Sequence, residues 1–245
     1  NCPMIPFYIY YSMFGFQRIH DLAWAAGDSR ARGFLLGATA GRTTLNGEGL
    51  QHQDGHSHIL ASTIPNCRSY DPCFSYEIAA IIQEGIKDMY ELGNDRYYYL
   101  TLMNENYSHP ERPRAVTNEM IMRGAYKYSS ANTPKIRILA SGVTLNFAIE
   151  AAEVLEKFAI EVEIWSVTSF NELYKEGLEI ERKNKLFGNK DTSYVQEIFS
   201  KKIPTIAVSE YMRNYANQIR QWINGEYFVL GTDGFGRSDT REKLR

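Results

Sequence analysis

The sequence IRILASGVTLNFAIEAAEVLEKFAIEVEIW, residues 136–165, decides the fold class. It opens with a short run rich in Ile and Leu, turns at Ser141-Gly142, and then carries apolar residues at helical spacing over 145–158. A second short apolar run, 162–165, closes the stretch. Helical periodicity between two strand-like runs predicts a strand–helix–strand unit. Such a unit predicts a parallel sheet with right-handed crossovers.

The same alternation extends to both sides of residues 136–165. The further predicted strands are 33–37, 97–103, 203–208 and 227–230. The further predicted helices are 12–26 (closed by Gly27), 75–89 and 212–223, and 170–175 is predicted as a single helical turn. The sequence therefore predicts an α/β fold of two domains with mainly parallel sheets flanked by helices.

The composition shifts in the middle of the chain, where Pro110, Pro113 and Pro134 stand among Asn, Ser and Arg residues. Such prolines are typical of a linker. The predicted division is a first domain 1–103, a linker 104–135 and a second domain 136–245. The chain starts without a methionine and stops one turn after a predicted helix start at residues 238–242. We therefore expect the native chain to continue beyond both ends.

The charge balance limits the choice of partners. Lys+Arg 27 nearly equals Asp+Glu 29, and no basic stripe is present, so we expect no nucleic-acid partner. No apolar run approaches the length of a membrane span, so we expect no membrane segment. Cys2, Cys67 and Cys73 are too few and too unevenly spaced for a disulfide framework, which favours reduced thiols in the cytoplasm.

The densest polar cluster is TTLNGEGLQHQDGHSH, residues 43–58, which follows a predicted buried strand. Ligands bind beyond the carboxyl ends of parallel strands, and a long histidine-rich loop there is more often functional than an ordinary surface loop. A zinc site of His52, His56 and His58 is disfavoured, because zinc ligands usually come from two separate elements. We predict no metal site here and favour proton transfer by histidine.

Two other segments allow two interpretations each. The aromatic run 7–16 is either core packing where a strand enters a helix or an aromatic wall for a flat heterocycle. The glycine-rich segment 230–238 is either an anion cradle at a helix N-terminus or a plain connection. Its glycine spacing fits neither a Walker loop nor a dinucleotide fingerprint.

Six segments together resemble a thiamine-diphosphate-dependent family, the bacterial homodimeric first component of the pyruvate dehydrogenase complex. They are YIYYSMFGFQR (8–18), GRTTLNGEGLQH (41–52), DGHSH (54–58), NENY (104–107), SVTSF (166–170) and GTDGFGRSD (231–239). The resemblance spans nearly the whole chain. The wider transketolase family shares only the outline acidic-Gly-x-x-His at 54–58.

The resemblance implies a site between two subunits of a homodimer. It implies that Tyr11 and Phe14 line the aminopyrimidine ring of thiamine diphosphate, and that Glu48 and His52 are catalytic. His52 would handle pyruvate or the covalent intermediate, and His58 is a further catalytic candidate from the transketolase outline. The implied partners are pyruvate and the lipoyl group of the dihydrolipoyl acetyltransferase component. Residues 1–103 would be the later part of the pyrimidine-binding domain, and 136–245 a truncated transketolase C-terminal-like domain.

Three departures from the family pattern bear on activity. The activating glutamate would precede residue 1, the domain that holds the diphosphate and Mg²⁺ is absent, and Gln53 stands where an acidic residue is expected. We therefore expect the chain alone to turn over no pyruvate. The alternatives are a transketolase-like two-carbon transfer enzyme, disfavoured by the 51–58 pattern, and an isolated non-catalytic assembly module.

Overall fold

The structure is a computed structural model that describes residues 4–45 and 49–244. The strands in those ranges are β1 Phe7–Tyr10, β2 Phe34–Ala38, β3 Cys67–Tyr70, β4 Tyr97–Leu102, β5 Tyr126–Ser130, β6 Ile136–Ala140, β7 Val162–Ser166, β8 Thr205–Val208 and β9 Tyr227–Leu230. The α-helices are α1 Ser12–Asp28, α2 Ser57–Ser62, α3 Ser75–Ile86, α4 Asn118–Arg123, α5 Thr144–Glu156, α6 Phe170–Phe187, α7 Tyr194–Ile198, α8 Arg213–Asn217 and α9 Arg241–Leu244. Short 3₁₀ turns lie at Leu50–His52 and Arg220–Trp222, and Lys87–Glu91 is a π-helical segment.

Two sheets organise the chain. The first sheet has the order β1-β2-β4-β3, and the strand pairs are all parallel. The second has the order β5-β7-β6-β8-β9 and is parallel except for β5, which pairs antiparallel with β7. The predicted α/β fold with mainly parallel sheets and helices is confirmed.

Continuous burial marks β4 and β7, which lie inside their sheets. β4 reads YYYLTL and is buried over nearly its whole length, as expected for a parallel strand covered on both faces. β7 is buried at all its positions in the same way. Burial of one large apolar side chain stabilises the fold by about 1.5–3 kcal/mol, so these strands contribute strongly to the packing of both sheets.

Three predicted elements differ from the structure. The single turn predicted at 170–175 is the 18-residue helix α6, which buries Phe170, Leu173 and Gly177 on one face. Its otherwise charged sequence conceals that narrow apolar stripe. The helix predicted over 212–223 is divided into α8 and a 3₁₀ turn. Helix α1 runs through Gly27 to Asp28, so Gly27 is not its C-cap.

The predicted linker 104–135 contains regular structure. It holds α4 and β5, and β5 is an edge strand of the second sheet. Thr117 caps α4 by accepting a hydrogen bond from the Met120 amide, and Gly124 ends the helix with φ 104°. The linker prolines conceal these two short elements, and the domain boundaries stay a prediction.

The carboxyl ends of the two sheets face each other. Asp71, which follows β3, contacts Ser141, which follows β6. Arg42, which lies beyond β2, contacts Glu210, which lies beyond β8. We call residues 41–58 the histidine loop. Its described parts, residues 41–45 and 49–58, therefore lie beside the carboxyl end of both sheets, the usual place of a ligand site in such folds.

Candidate active site

Three predicted site residues come together in the structure. The ring centroids of Tyr11 and His52 are 5.2 Å apart, those of Phe14 and His52 are 5.2 Å apart, and those of Tyr11 and Phe14 are 6.0 Å apart. The Arg18 guanidinium lies 4.1 Å from the Phe14 centroid. We call Tyr11, Phe14 and His52 the aromatic cluster.

Local structure explains how the cluster assembles. Tyr11 directly follows β1, and α1 begins at Ser12, whose hydroxyl donates to the Thr39 carbonyl beyond β2 at 3.1 Å. Phe14 lies in the first turn of α1. His52 ends a 3₁₀ turn in which its amide donates to the Gly49 carbonyl at 2.9 Å. The strand end and the loop thus bring residues 11 and 52 together.

The aromatic cluster remains partly open. The Tyr11 side chain is 41% exposed, and Phe14 and His52 are half-buried. Aromatic faces that remain accessible while their edges are packed can stack on a flat heterocycle. The exposed ring of Tyr11 fits this requirement for an aminopyrimidine ring, whereas the Arg18 guanidinium lies over the Phe14 ring. In the run Phe7–Phe16, Phe16 is buried in the core, as core packing predicts, while Tyr11 is exposed. The stacking role of Tyr11 stays a prediction.

The three loop histidines have different surroundings. His56 contacts the Gln17 side chain, whereas His58 is fully buried and His52 belongs to the aromatic cluster. Over residues 4–45 and 49–244, no group of three or more His, Cys, Asp or Glu side chains is arranged to hold a metal ion. An imidazole such as that of His52 can donate or accept a proton.

His58 lies in a buried hydrogen-bonded chain. Its ring stacks on Tyr215 at 4.9 Å, and its Nε2 lies 2.9 Å from Thr101 Oγ1. The Thr101 hydroxyl donates to Asp71 Oδ1 at 2.6 Å, so the Nε2–H of His58 is the donor to Thr101. Burial lowers the pKa of His58 to about 4, which keeps the imidazole neutral. A catalytic role of His58 stays a prediction.

The acidic-Gly-x-x-His pattern at residues 54–58 has a structural explanation. Asp54 Oδ1 accepts hydrogen bonds from the amides of His56 at 3.0 Å and Ser57 at 2.9 Å, which starts α2. A Cβ atom at Gly55 would overlap the Arg42 guanidinium, so a larger residue at this position would require Arg42 to move. The outline therefore fixes the direction in which the chain leaves the histidine loop.

Both the nitrogen and the oxygen of the Gln53 side-chain amide are hydrogen-bonded. Its Nε2 donates to the Arg42 carbonyl at 3.1 Å, and its Oε1 accepts from the Arg237 amide at 2.6 Å. The side chain is only 2% exposed. A carboxylate would offer no donor to Arg42, so the position is suited to glutamine in this chain.

The backbone contacts of the glycine-rich segment Leu230–Ser238 distinguish a plain connection from an anion cradle. Its Thr232 amide donates to the Tyr211 carbonyl at 2.9 Å, and its Arg237 amide is bonded to Gln53. Helix α9, which follows the segment, has four residues. These contacts favour the interpretation of this segment as a connection.

Sequence reasoning missed Asp71 and Glu210. Both are buried, at 0% and 2% exposure, and both follow strand ends. The one available signal was at Glu210, a carboxylate two positions after the predicted strand 203–208. Asp71 follows the mixed sequence CRSY (67–70), which was not predicted as a strand. Glu48, the other predicted catalytic residue, lies outside the described residues.

Among the helices that are described, none combines the length and apolar character needed to cross a bilayer.

Two family models match this chain. The pyruvate dehydrogenase E1 component middle domain matches residues 1–110, and the transketolase-like TK C-terminal domain matches residues 124–245. The chain is 58% identical over 255 residues to the pyruvate dehydrogenase E1 component of Pseudomonas aeruginosa, with 100% of this chain and 29% of the relative covered. It is 51% identical over 252 residues to that of Escherichia coli K12, with 100% and 28% covered. The chain thus spans less than a third of the length of these relatives.

Solved structures show the same fold at low identity. The transketolase of Campylobacter jejuni superposes with a TM-score of 0.74 at 20% identity, covering 98% of this chain and 33% of that one. The transketolase from Leishmania mexicana gives a TM-score of 0.73 at 19% identity, with 98% and 31% covered.

Proposed function

Because the chain belongs to the family of pyruvate dehydrogenase E1 components, we propose that it supplies part of a thiamine diphosphate site that decarboxylates pyruvate. The observation that carries the proposal is the aromatic cluster, in which Tyr11, Phe14 and His52 lie within 5.2–6.0 Å of one another. Bound thiamine diphosphate would supply the carbanion chemistry that removes carbon dioxide.

Tyr11 and Phe14 would stack against the aminopyrimidine and orient it. His52 would move a proton to or from the substrate beside these rings, with Glu48 as a second acid–base group. Mg²⁺ and the diphosphate would be held by residues outside this chain. Residues 1–103 would be the later part of the pyrimidine-binding domain, 104–135 the linker, and 136–245 the transketolase C-terminal-like domain.

The partners follow from the same proposal. A second copy of the subunit would complete the site, and the lipoyl group of the dihydrolipoyl acetyltransferase component would receive the two-carbon unit in the cytoplasm. The full-length protein should release carbon dioxide from pyruvate when thiamine diphosphate and Mg²⁺ are present. Turnover of ketose phosphates alone would instead support the two-carbon transfer enzyme and overturn the proposal.

His52→Ala tests the role of the cluster. The full-length variant should lose activity by about a hundredfold or more, the usual contribution of a positioned acid–base group. His20→Ala is the matched control, because His20 lies on α1 and contacts Thr63 instead of the cluster. Near-normal turnover by His52→Ala would remove His52 from the proposed mechanism.

A further inference from the structure

The start of the histidine loop is bound to one buried carboxylate of the second sheet. Glu210 Oε2 accepts hydrogen bonds from the amides of Arg42 at 2.7 Å and Thr43 at 2.6 Å. Glu210 Oε1 accepts from the Thr43 hydroxyl. Glu210 is 2% exposed, so these donors satisfy a carboxylate that is removed from water. Charge-assisted bonds of this kind are stronger than neutral ones.

Gln53, in the later part of the histidine loop, is bound to the segment that follows β9. Gln53 joins the Arg42 carbonyl to the Arg237 amide, as described above. The Arg42 side chain donates to the Thr232 carbonyl at 2.5 Å. Residue 42 therefore connects Glu210 to Gln53, the immediate neighbour of His52. A shift of Glu210 would be transmitted through two hydrogen bonds to Gln53, next to His52.

We propose that Glu210 is a positioning residue for His52, which it holds against Tyr11 and Phe14 by fastening the histidine loop to the second sheet. The inference rests on the proposed function for its catalytic consequence only. The C-terminal half of the chain would then set the geometry of an acid–base group carried by the N-terminal half. Small displacements of such groups reduce catalysis strongly, because the reacting atoms must be aligned.

Three variants of the full-length protein isolate this role. Glu210→Ala leaves the Arg42 and Thr43 amides without this acceptor. Glu210→Gln should rescue it, because the carboxamide oxygen can accept from both amides while its NH₂ donates to the Thr43 hydroxyl. Glu172→Ala is the matched control. Glu172 is a buried glutamate of α6 that pairs with Arg68 of β3 at 2.6 Å, and so it also joins the two halves without contacting residues 41–58.

Hydrogen–deuterium exchange of the peptide carrying Arg42 and Thr43 is the first measurement, since it requires neither substrate nor cofactor. Glu210→Ala should exchange about tenfold faster there than the wild type, while Glu210→Gln and Glu172→Ala should not. If Glu210→Ala folds poorly, Thr43→Val removes only the hydroxyl bond and should give a smaller increase at the same amides. Unchanged exchange in Glu210→Ala and Thr43→Val, or an equal increase in Glu172→Ala, would overturn the proposal.

Steady-state kinetics with pyruvate is the second measurement. Glu210→Ala should lower kcat by about ten- to a hundredfold with KM little changed, and Glu210→Gln should restore it. Faster loop exchange with unchanged kcat would overturn the positioning role. Failure of the wild type to turn over pyruvate would refute the proposed function, whereas the exchange result would still decide whether Glu210 anchors the loop.

Discussion

Ser141 Oγ donates a hydrogen bond of 2.7 Å to Asp71 Oδ2, and this bond joins the carboxyl end of the second sheet to that of the first. Asp71 Oδ1 also accepts from Thr101 at 2.6 Å and from the Tyr211 hydroxyl at 3.3 Å. The carboxyl group is fully buried, and burial raises the pKa of Asp71 to about 7 despite these donors. The contact between the two sheets therefore contains a group that titrates near neutral pH.

Asp71→Asn should flatten the pH dependence of stability. Because the folded-state pKa of about 7 exceeds the ordinary value of 3.8, the folded protein binds the proton more tightly than the unfolded chain. The stabilisation is fully present below about pH 3.8 and is lost as pH rises through about 7. Urea unfolding of both proteins between about pH 5 and about pH 8 should show this loss only in the wild type. Parallel curves would contradict the shifted pKa of Asp71.

His58→Gln should also change the pH dependence of stability, but in the acidic range and with the opposite sign. The pKa of His58 is lowered from 6.5 to about 4, so its contribution is present above pH 6.5 and is lost as pH falls through about 4. The variant should therefore lose less stability on acidification than the wild type does. Unfolding midpoints measured at about pH 7 and about pH 4.5 test this, and an equal loss in both proteins would argue for a His58 that ionises normally.

Tyr11→Ala should weaken thiamine diphosphate binding to the full-length protein about tenfold, whereas Tyr11→Phe should keep most of the affinity. The reason is that the proposed contact uses the ring face and not the hydroxyl. Calorimetric titration measures both affinities. Tyr8→Ala is the control, since Tyr8 is an exposed tyrosine of β1 whose ring contacts Tyr10 instead of the cluster. Equal affinities for the wild type and Tyr11→Ala would exclude stacking on Tyr11.

Gly236→Ala should disturb the histidine loop from the second-sheet side. A Cβ atom at position 236 would overlap the Gln53 side chain and lie 2.8 Å from the Leu50 carbonyl oxygen. We expect the free energy of unfolding to fall by about 1–3 kcal/mol. Phe235→Ala on the same segment should stay within about 0.5 kcal/mol of the wild type, because Phe235 is 85% exposed. Denaturant unfolding compares the two variants. If Gly236→Ala is as stable as the wild type, the loop can move to accept the Cβ atom without a loss in the free energy of unfolding.

Part of the candidate site could be predicted from the sequence. The resemblance selected Tyr11, Phe14 and His52, and these three rings do meet. Spacing alone left the aromatic run 7–16 undecided, because core packing and ligand stacking require the same residue types. The structure shows that Phe16 is buried in the core and that Tyr11 is exposed, and exposure is a property of the folded chain. Ligand stacking by Tyr11 stays a prediction.

The sequence by itself determined the α/β class, since a helical period between short apolar runs allows few other arrangements. It also led to the prediction that the histidine loop carries the chemistry. Only the tertiary structure decided which residues hold that loop, because Arg42 and Glu210 are 168 positions apart and Asp71 and Ser141 are 70 apart. Contacts over such separations arise from the ends of strands in two different sheets. Local periodicity contains no information about which strand ends will meet.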